Sequence, residues 1–192
     1  MHALPPSLGI PHPKNHRGFT AIELMVVVAI VAILATLAAP SFTPIIERWR
    51  VRDAAESLTS TLYLARSESI KRGGGVIVQA NTGTDWGSGW HVYFDSNANG
   101  SQDTCDSSAT PNECDLQVVT TLNNVTINLP NTTGSISLDR WGMTTHTGGA
   151  TTPTNLAFEV MPKNKAISDT SSARLCLGTG GRIVRKKGSD TC

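Results

Sequence analysis

Basic side chains are nearly missing from the middle of this 192-residue sequence. Between residues 73 and 159, Arg140 stands alone against eight acids, a local balance of −7. Residues 1–72 carry +3 and residues 160–192 carry +5, so the overall +1 hides a basic C-terminal end beside an acidic middle. The total itself points to no particular partner. Close cysteine pairs are also missing. None of the four cysteines stands in a Cys-x-x-Cys spacing, which argues against structural zinc. No alternation of strands and helices follows Gly75, and no internal repeat is found. His91 and His146 stand isolated. No nucleophile, base and orienting group can be read together, so no catalytic residue is assigned, no enzyme is expected and no cofactor is expected.

What the sequence does have is one long apolar run. Leu24 to Ala39 is sixteen residues with Thr36 as the one polar member. Adding Phe19–Glu23 gives twenty-one residues, about 31 Å of helix at ~1.5 Å per residue. That matches a hydrocarbon core of about 30 Å. A cleaved secretory signal is the alternative, because Lys14, His16 and Arg17 precede the run. The cleavage box behind it is poor, however, with Leu37 where a small residue belongs before Ala39. Such a signal also gains nothing from Glu23. A carboxylate beside an apolar run invites a partner. If the chain is cut after Gly18, Phe19 gains a free amine four residues from Glu23. In a bundle, Glu23 then pairs with the amine of an adjacent subunit and sets register between otherwise apolar helices.

Gly18-Phe19-Thr20-Ala21-Ile22-Glu23-Leu24-Met25 resembles the class III signal of type IV pilins and pseudopilins. The resemblance implies a leader over residues 1–18, cleavage by a prepilin peptidase between Gly18 and Phe19, N-methylation of Phe19, and an assembly role for Glu23. Pro40 falls where such helices carry a kinking proline, consistent with its missing N–H. The implied partners are other minor and major pilins or pseudopilins, the peptidase, and the bacterial inner membrane before assembly. Arg48, Arg50 and Arg52 follow the span as closely as Lys14 and Arg17 precede it, so charge alone does not set the orientation. The resemblance and the cysteines place the C-terminal domain in the periplasm, and later near the tip of a pilus or pseudopilus.

The helical pattern continues past the span. Val51, Ala55, Leu58, Leu62, Ala65 and Ser69 recur at spacings of four and three, one face of an amphipathic helix. Lys71 and Arg72 suit its C-terminus, and Gly73-Gly74-Gly75 ends it. Strands are expected at 76–80, 90–95, 116–122, 125–129, 135–138, 156–161, 174–177 and 182–184, with turn-rich loops at 131–134 and 144–154. The fold class is α+β: a long N-terminal helix packed on an antiparallel β-sheet or two small sheets. The expected organisation is a leader at 1–18, a helix at 19–72 and a β-rich domain at 73–192. Within that helix the membrane span covers about 19–39 and the amphipathic part about 41–72. Gly89-Trp90-His91-Val92-Tyr93-Phe94-Asp95 and the later Gly181-Arg182 resemble the GspH/FimT group of minor pilins and H-type pseudopilins. That resemblance implies a low-abundance assembly subunit.

The remaining motifs are local. Cys105 with Cys114, and Cys176 with Cys192, form the simplest disulfide scheme, and an oxidising periplasm permits it. Asp95, Asn97, Asn99 and Asp103 have the spacing of a calcium loop, with Asp106 where the last ligand belongs. No helices flank it, so a polar hairpin turn is the competing reading. Trp86, Trp90 and Trp141 read as core or turn packing. Near the C-terminus, Arg182, Arg185, Lys186 and Lys187 suggest double-stranded DNA as a further partner, bound through its phosphates. The spacing departs by one residue from the Gly-Arg-x-Arg of DNA-binding FimT-type pilins. The strand there is expected to end near Val184, with Arg185–Lys187 in a turn.

Overall fold

The computed structural model describes residues 18–106, 108, 112–146 and 155–192; the side chains of residues 37–41 and of His146 fall outside that set. The chain divides into two units, Met1–Ser41 and Phe42–Cys192.

The first unit holds the opening of α1 (Ala21–Arg72). Thr20 caps it. Its Oγ1 accepts the Glu23 N–H at 3.3 Å and its carbonyl accepts the Leu24 N–H at 3.2 Å, meeting two of the donors a helix start leaves open. The side chains from Ile22 through Leu34 are apolar on every side of the helix and exposed, apart from Glu23. Among the described residues, no helix is long and apolar enough to cross a membrane. The rest of the expected span and the kink expected at Pro40 lie outside the described side chains.

In the second unit the later part of α1 buries one stripe. Val51, Ala55, Leu58, Leu62, Ala65 and Ser69 are all within 2% exposure, joined by Ala54 and Thr61. The helix then stops on glycine for a geometric reason. Gly73 sits at φ 83°, and the Gly74 N–H returns to the Ser69 carbonyl at 2.8 Å, a six-to-one closure that needs the left-handed region.

The strands form two antiparallel sheets. One holds β1 (Val76–Thr82), β2 (Asp85–Phe94), β3 (Asp115–Val119), β5 (Ser135–Leu138) and β6 (Thr144–His146), in the order β3-β2-β1-β5-β6. The other holds β4 (Val125–Asn128), β7 (Leu156–Pro162), β8 (Ala173–Leu177) and β9 (Ile183–Lys187), in the order β4-β7-β8-β9. Their inner faces and the α1 stripe share one core. Trp86 lies edge-on to Phe158 at 5.0 Å between centroids, and the indole N–H of Trp90 donates to Thr61 Oγ1 at 3.0 Å, joining sheet to helix. Farther along, the Ser69 hydroxyl meets the Leu138 and Asp139 carbonyls.

Three expected strands and one expected loop need correction. β2 begins at Asp85, five residues before Trp90, because Gly87 and Gly89 lie inside the strand. A Cβ at Gly89 would run into the Val119 carbonyl of β3 and one at Gly87 would crowd the Val125 carbonyl of β4, so these glycines admit neighbouring strands and do not mark a turn. β3 ends at Val119 and not Leu122. β6 occupies the start of the expected 144–154 loop, held to β5 by its ladder and by a Ser137–Thr145 hydroxyl contact of 2.6 Å. β9 runs on through Lys187 instead of ending near Val184. Beyond Ile183 the side facing α1 meets the polar helix surface and not the core. Arg185 reaches Glu56 at 3.6 Å and stays exposed.

A clamp joins α1 to the C-terminal hairpin. The Arg66 guanidinium lies against Gly181, and its stem against Gly142, leaving no room for a Cβ at either glycine. Its Nη1 donates to the Gly180 carbonyl at 3.1 Å.

Candidate assembly and interaction surfaces

At the N-terminus Gly18 has open space around it, and Phe19 is 81% exposed. Glu23 is exposed in the first turn of α1, three residues after its cap. Thr20-x-x-Glu23 is the spacing of a capping box, and a carboxylate there also suits the positive end of the helix dipole. This local role was legible in the sequence, but the case for pairing between subunits displaced it.

The Asp95 loop does not gather its oxygens around a common point. Asp95 accepts the Asn99 and Gly100 N–H groups at 3.2 and 2.8 Å. Asp103 accepts the side-chain amides of Asn97 and Asn99. Asp106 turns away and accepts the Ser108 N–H and hydroxyl, which hold its carboxyl below the usual range. Among the described residues, no three His, Cys, Asp or Glu groups are placed to hold a metal. The loop closes on its own hydrogen bonds, with amide donors pointing at the Asp95 and Asp103 carboxylates.

The loop's organiser is Glu113, which the sequence reading missed. It is 1% exposed and accepts the Ser96 N–H at 2.7 Å, the Ser96 hydroxyl at 3.1 Å and the Asp103 N–H at 2.9 Å. Burial alone would raise its carboxyl, but the hydrogen bonds from Asp103 and Ser96 outweigh burial and leave it below the usual carboxylate range. The one signal was its place beside Cys114. Cys105–Cys114 closes the loop, as the local pairing scheme expected.

At the other end, Cys176–Cys192 ties the last residues to β8, again as expected. The tail is also held by cations: Arg174 donates to the Asp190 carbonyl at 2.7 Å and Lys186 to the Thr191 carbonyl at 2.8 Å. The four C-terminal cations are therefore not grouped on one turn. Arg185 and Lys187 share one side of β9 with Ile183, and Lys186 lies on the other side with Val184. Lys186 is engaged by the tail, Arg185 leans on Glu56, and Arg182 lies just before the strand. His91 stacks on Tyr93 at 5.6 Å and meets Asn81 at 3.0 Å, a structural setting. Trp86 and Trp90 are core, whereas Trp141 is 67% exposed on a turn closed by Asp139.

The family model described as Type II transport protein GspH matches residues 54–181, from the buried helix stripe to the Arg66 clamp. The chain belongs to the GspH family. It is a type IV minor pilin or pseudopilin. A second model, the prokaryotic N-terminal methylation motif, matches residues 13–39 of the chain. Among curated relatives, the pilin-like protein PilA1 of Thermus thermophilus is 36% identical over 85 residues, 44% of this chain and 52% of that protein. The type IV major pilin PilA of Myxococcus xanthus is 47% identical over 55 residues, 29% of this chain and 24% of that one. The chain thus spans about half the length of these relatives or less. The minor pilin FimU of Pseudomonas aeruginosa has the same fold, with a TM-score of 0.55 and 21% identity over 74% of this chain and 92% of that one.

Proposed function

We propose that this pilin is a minor subunit that helps initiate or cap a type IV pilus. The supporting observation is the methylation motif running directly into a helix whose single early carboxylate, Glu23, sits next to the expected cut. In this reading residues 1–18 are a leader removed after Gly18, and Phe19 becomes a methylated N-terminus. The apolar start of α1 holds the protein in the inner membrane until assembly. Glu23 then leaves its capping position to meet the Phe19 amine of a neighbour. An H-type pseudopilin of a type II secretion system uses the same contacts and is the alternative; the GspH family match favours it equally.

Two measurements test the reading. Mass spectrometry of the mature protein is expected to find a methylated Phe19 at its start; a mature chain starting at Pro40 would sink the proposal. Glu23→Ala, as sole copy, is expected to insert and be processed normally but to drop out of filaments. Wild-type filament incorporation would remove Glu23 from assembly.

Capture of double-stranded DNA for uptake is a second reading, favoured by the +5 balance of residues 160–192. Arg182, Arg185, Lys186 and Lys187 would make about four phosphate contacts, with a log–log salt slope of about −3.6. A salt titration of the wild type and of the quadruple neutral variant tests it. Equal affinities, or no salt dependence, exclude DNA capture there.

A further inference from the structure

β9 is the outer strand of its sheet, paired to β8 alone. Gly178 N–H donates to the Arg182 carbonyl at 2.9 Å, and Gly188 N–H to the Ser172 carbonyl at 3.1 Å. Bonded and unbonded pairs alternate along an antiparallel ladder. The peptide groups of Val184 and Lys186 therefore face β8, and those of Ile183 and Arg185 point outward. Neither of the latter residues makes a backbone hydrogen bond to any described residue outside the sheet.

Proteins commonly blunt such an edge with charge, or cover it. Here charge is present, and among the described residues no strand pairs with the outward side of β9. A groove of about 450 Å³ runs beside the edge, between Ala55, Thr59 and Tyr63 of α1 and Leu175 and Ile183 of the sheet. Tyr63 is 52% exposed at its lip. The rim carries more cations than acids: Arg52 and Arg185 line up on Glu56, and Lys187 and Arg48 flank the next hollow beside Asp169, which Lys165 pairs. Glu56 is already paired at 2.7 Å with Arg52.

We propose that the β9 edge receives an extended strand from a neighbouring filament subunit. Its side chains on the α1-facing side are apolar where they meet Tyr63 and Ile183 and acidic where they meet Arg185 and Lys187, which lie on that same side of β9. The main-chain bonds supply affinity and the groove supplies selectivity. The acidic chemistry follows from the rim, and this pilin's own residues 73–159, at −7, show what a homologous neighbour has to offer. The proposal rests on the assembly reading for the identity of the partner, but not for the site itself.

The test uses the full chain in detergent micelles. The probe is a synthetic octapeptide, Thr-Glu-Thr-Glu-Thr-Val-Thr-Val, which as an extended strand carries its glutamates and valines on one face. Its control is the same peptide with alternate peptide nitrogens methylated, which keeps the charge and loses the donors. The expected result is binding at least roughly tenfold weaker for the methylated peptide. Hydrogen exchange at the Ile183 and Arg185 amides is expected to slow only with the unmodified peptide. Arg185→Pro removes an outward N–H without touching the β8 ladder and is expected to abolish binding, whereas Arg185→Gln retains part of it. Equal binding of the two peptides, no binding of either, or unprotected Ile183 and Arg185 amides overturns the strand site. Equal binding would leave a merely cationic patch of the sort duplex DNA uses. The methylated-peptide comparison needs only the wild type, so a poorly folded proline variant does not spoil it. A protein that joins filaments but ignores the peptide refutes the strand site alone. One that binds the peptide but never joins a filament refutes the assembly reading alone.

Discussion

A carboxylate at 1% exposure ordinarily needs a cation beside it. Glu113 has N–H and hydroxyl donors instead, and they come from the loop it organises. Glu113→Gln keeps the shape but replaces one acceptor with a donor that faces other donors. The expected cost is about 1–3 kcal/mol, read as a lower denaturation midpoint. The acid response has a definite sign. The folded carboxyl lies below its ordinary 4.5, so its contribution is complete above that value and fades as pH falls through the lower folded one. Amide shifts of Ser96 and Asp103 are expected to move together in that acidic window, and independence of the two would contradict a shared acceptor. Sequence reasoning found the Asp95, Asn97, Asn99, Asp103 and Asp106 oxygens of this loop but not its centre. Spacing reports which acceptors exist, whereas the fold decides which donors face them.

At the scale of elements, the helix stripe was the most legible feature. Its period of 3.6 follows from helix geometry alone, and Leu58 sits at its middle with no exposure. Leu58→Ala is expected to cost about 2–5 kcal/mol, measured by chemical unfolding of the full chain in detergent. A loss below about 1 kcal/mol would mean that the site collapses around the gap. The strands were less legible where pairing overrides composition. Thr144-Thr145-His146 carries no apolar alternation and becomes β6 because β5 offers a ladder. Arg185-Lys186-Lys187 reads as a solvated turn, yet β8 and the tethered tail carry it on as β9. Glycines misled in the opposite sense at β2, where they admit a neighbouring strand.

For the whole molecule, the α+β class and the two-sheet option were legible because the periodicity changes once, at Gly73–Gly75. The local disulfide scheme was legible because each cysteine pair flanks one short segment. Their sequence separations are 9 and 16. Cys176→Ser with Cys192→Ser is expected to cost about 3 kcal/mol in the chain-entropy account, seen as a lower melting temperature. The same change should release Lys186 and Arg174 from the tail, raising hydrogen exchange at residues 189–191. An unchanged melting temperature would show that the Asp190 and Thr191 contacts hold the tail unaided. No composition rule reveals the Arg66 clamp, because its three parts lie far apart in the chain and each looks ordinary alone. Its consequence concerns how this protein can vary among its descendants. A side chain at position 181 or 142 has no room while arginine stands at 66, and a smaller residue at 66 would leave a void between two bare turns. Substitutions at the three positions are therefore constrained in one direction: lineages that keep the arginine must keep both glycines, whereas lineages that lose it still hold positions 142 and 181 at φ 71° and 76°, which glycine suits best.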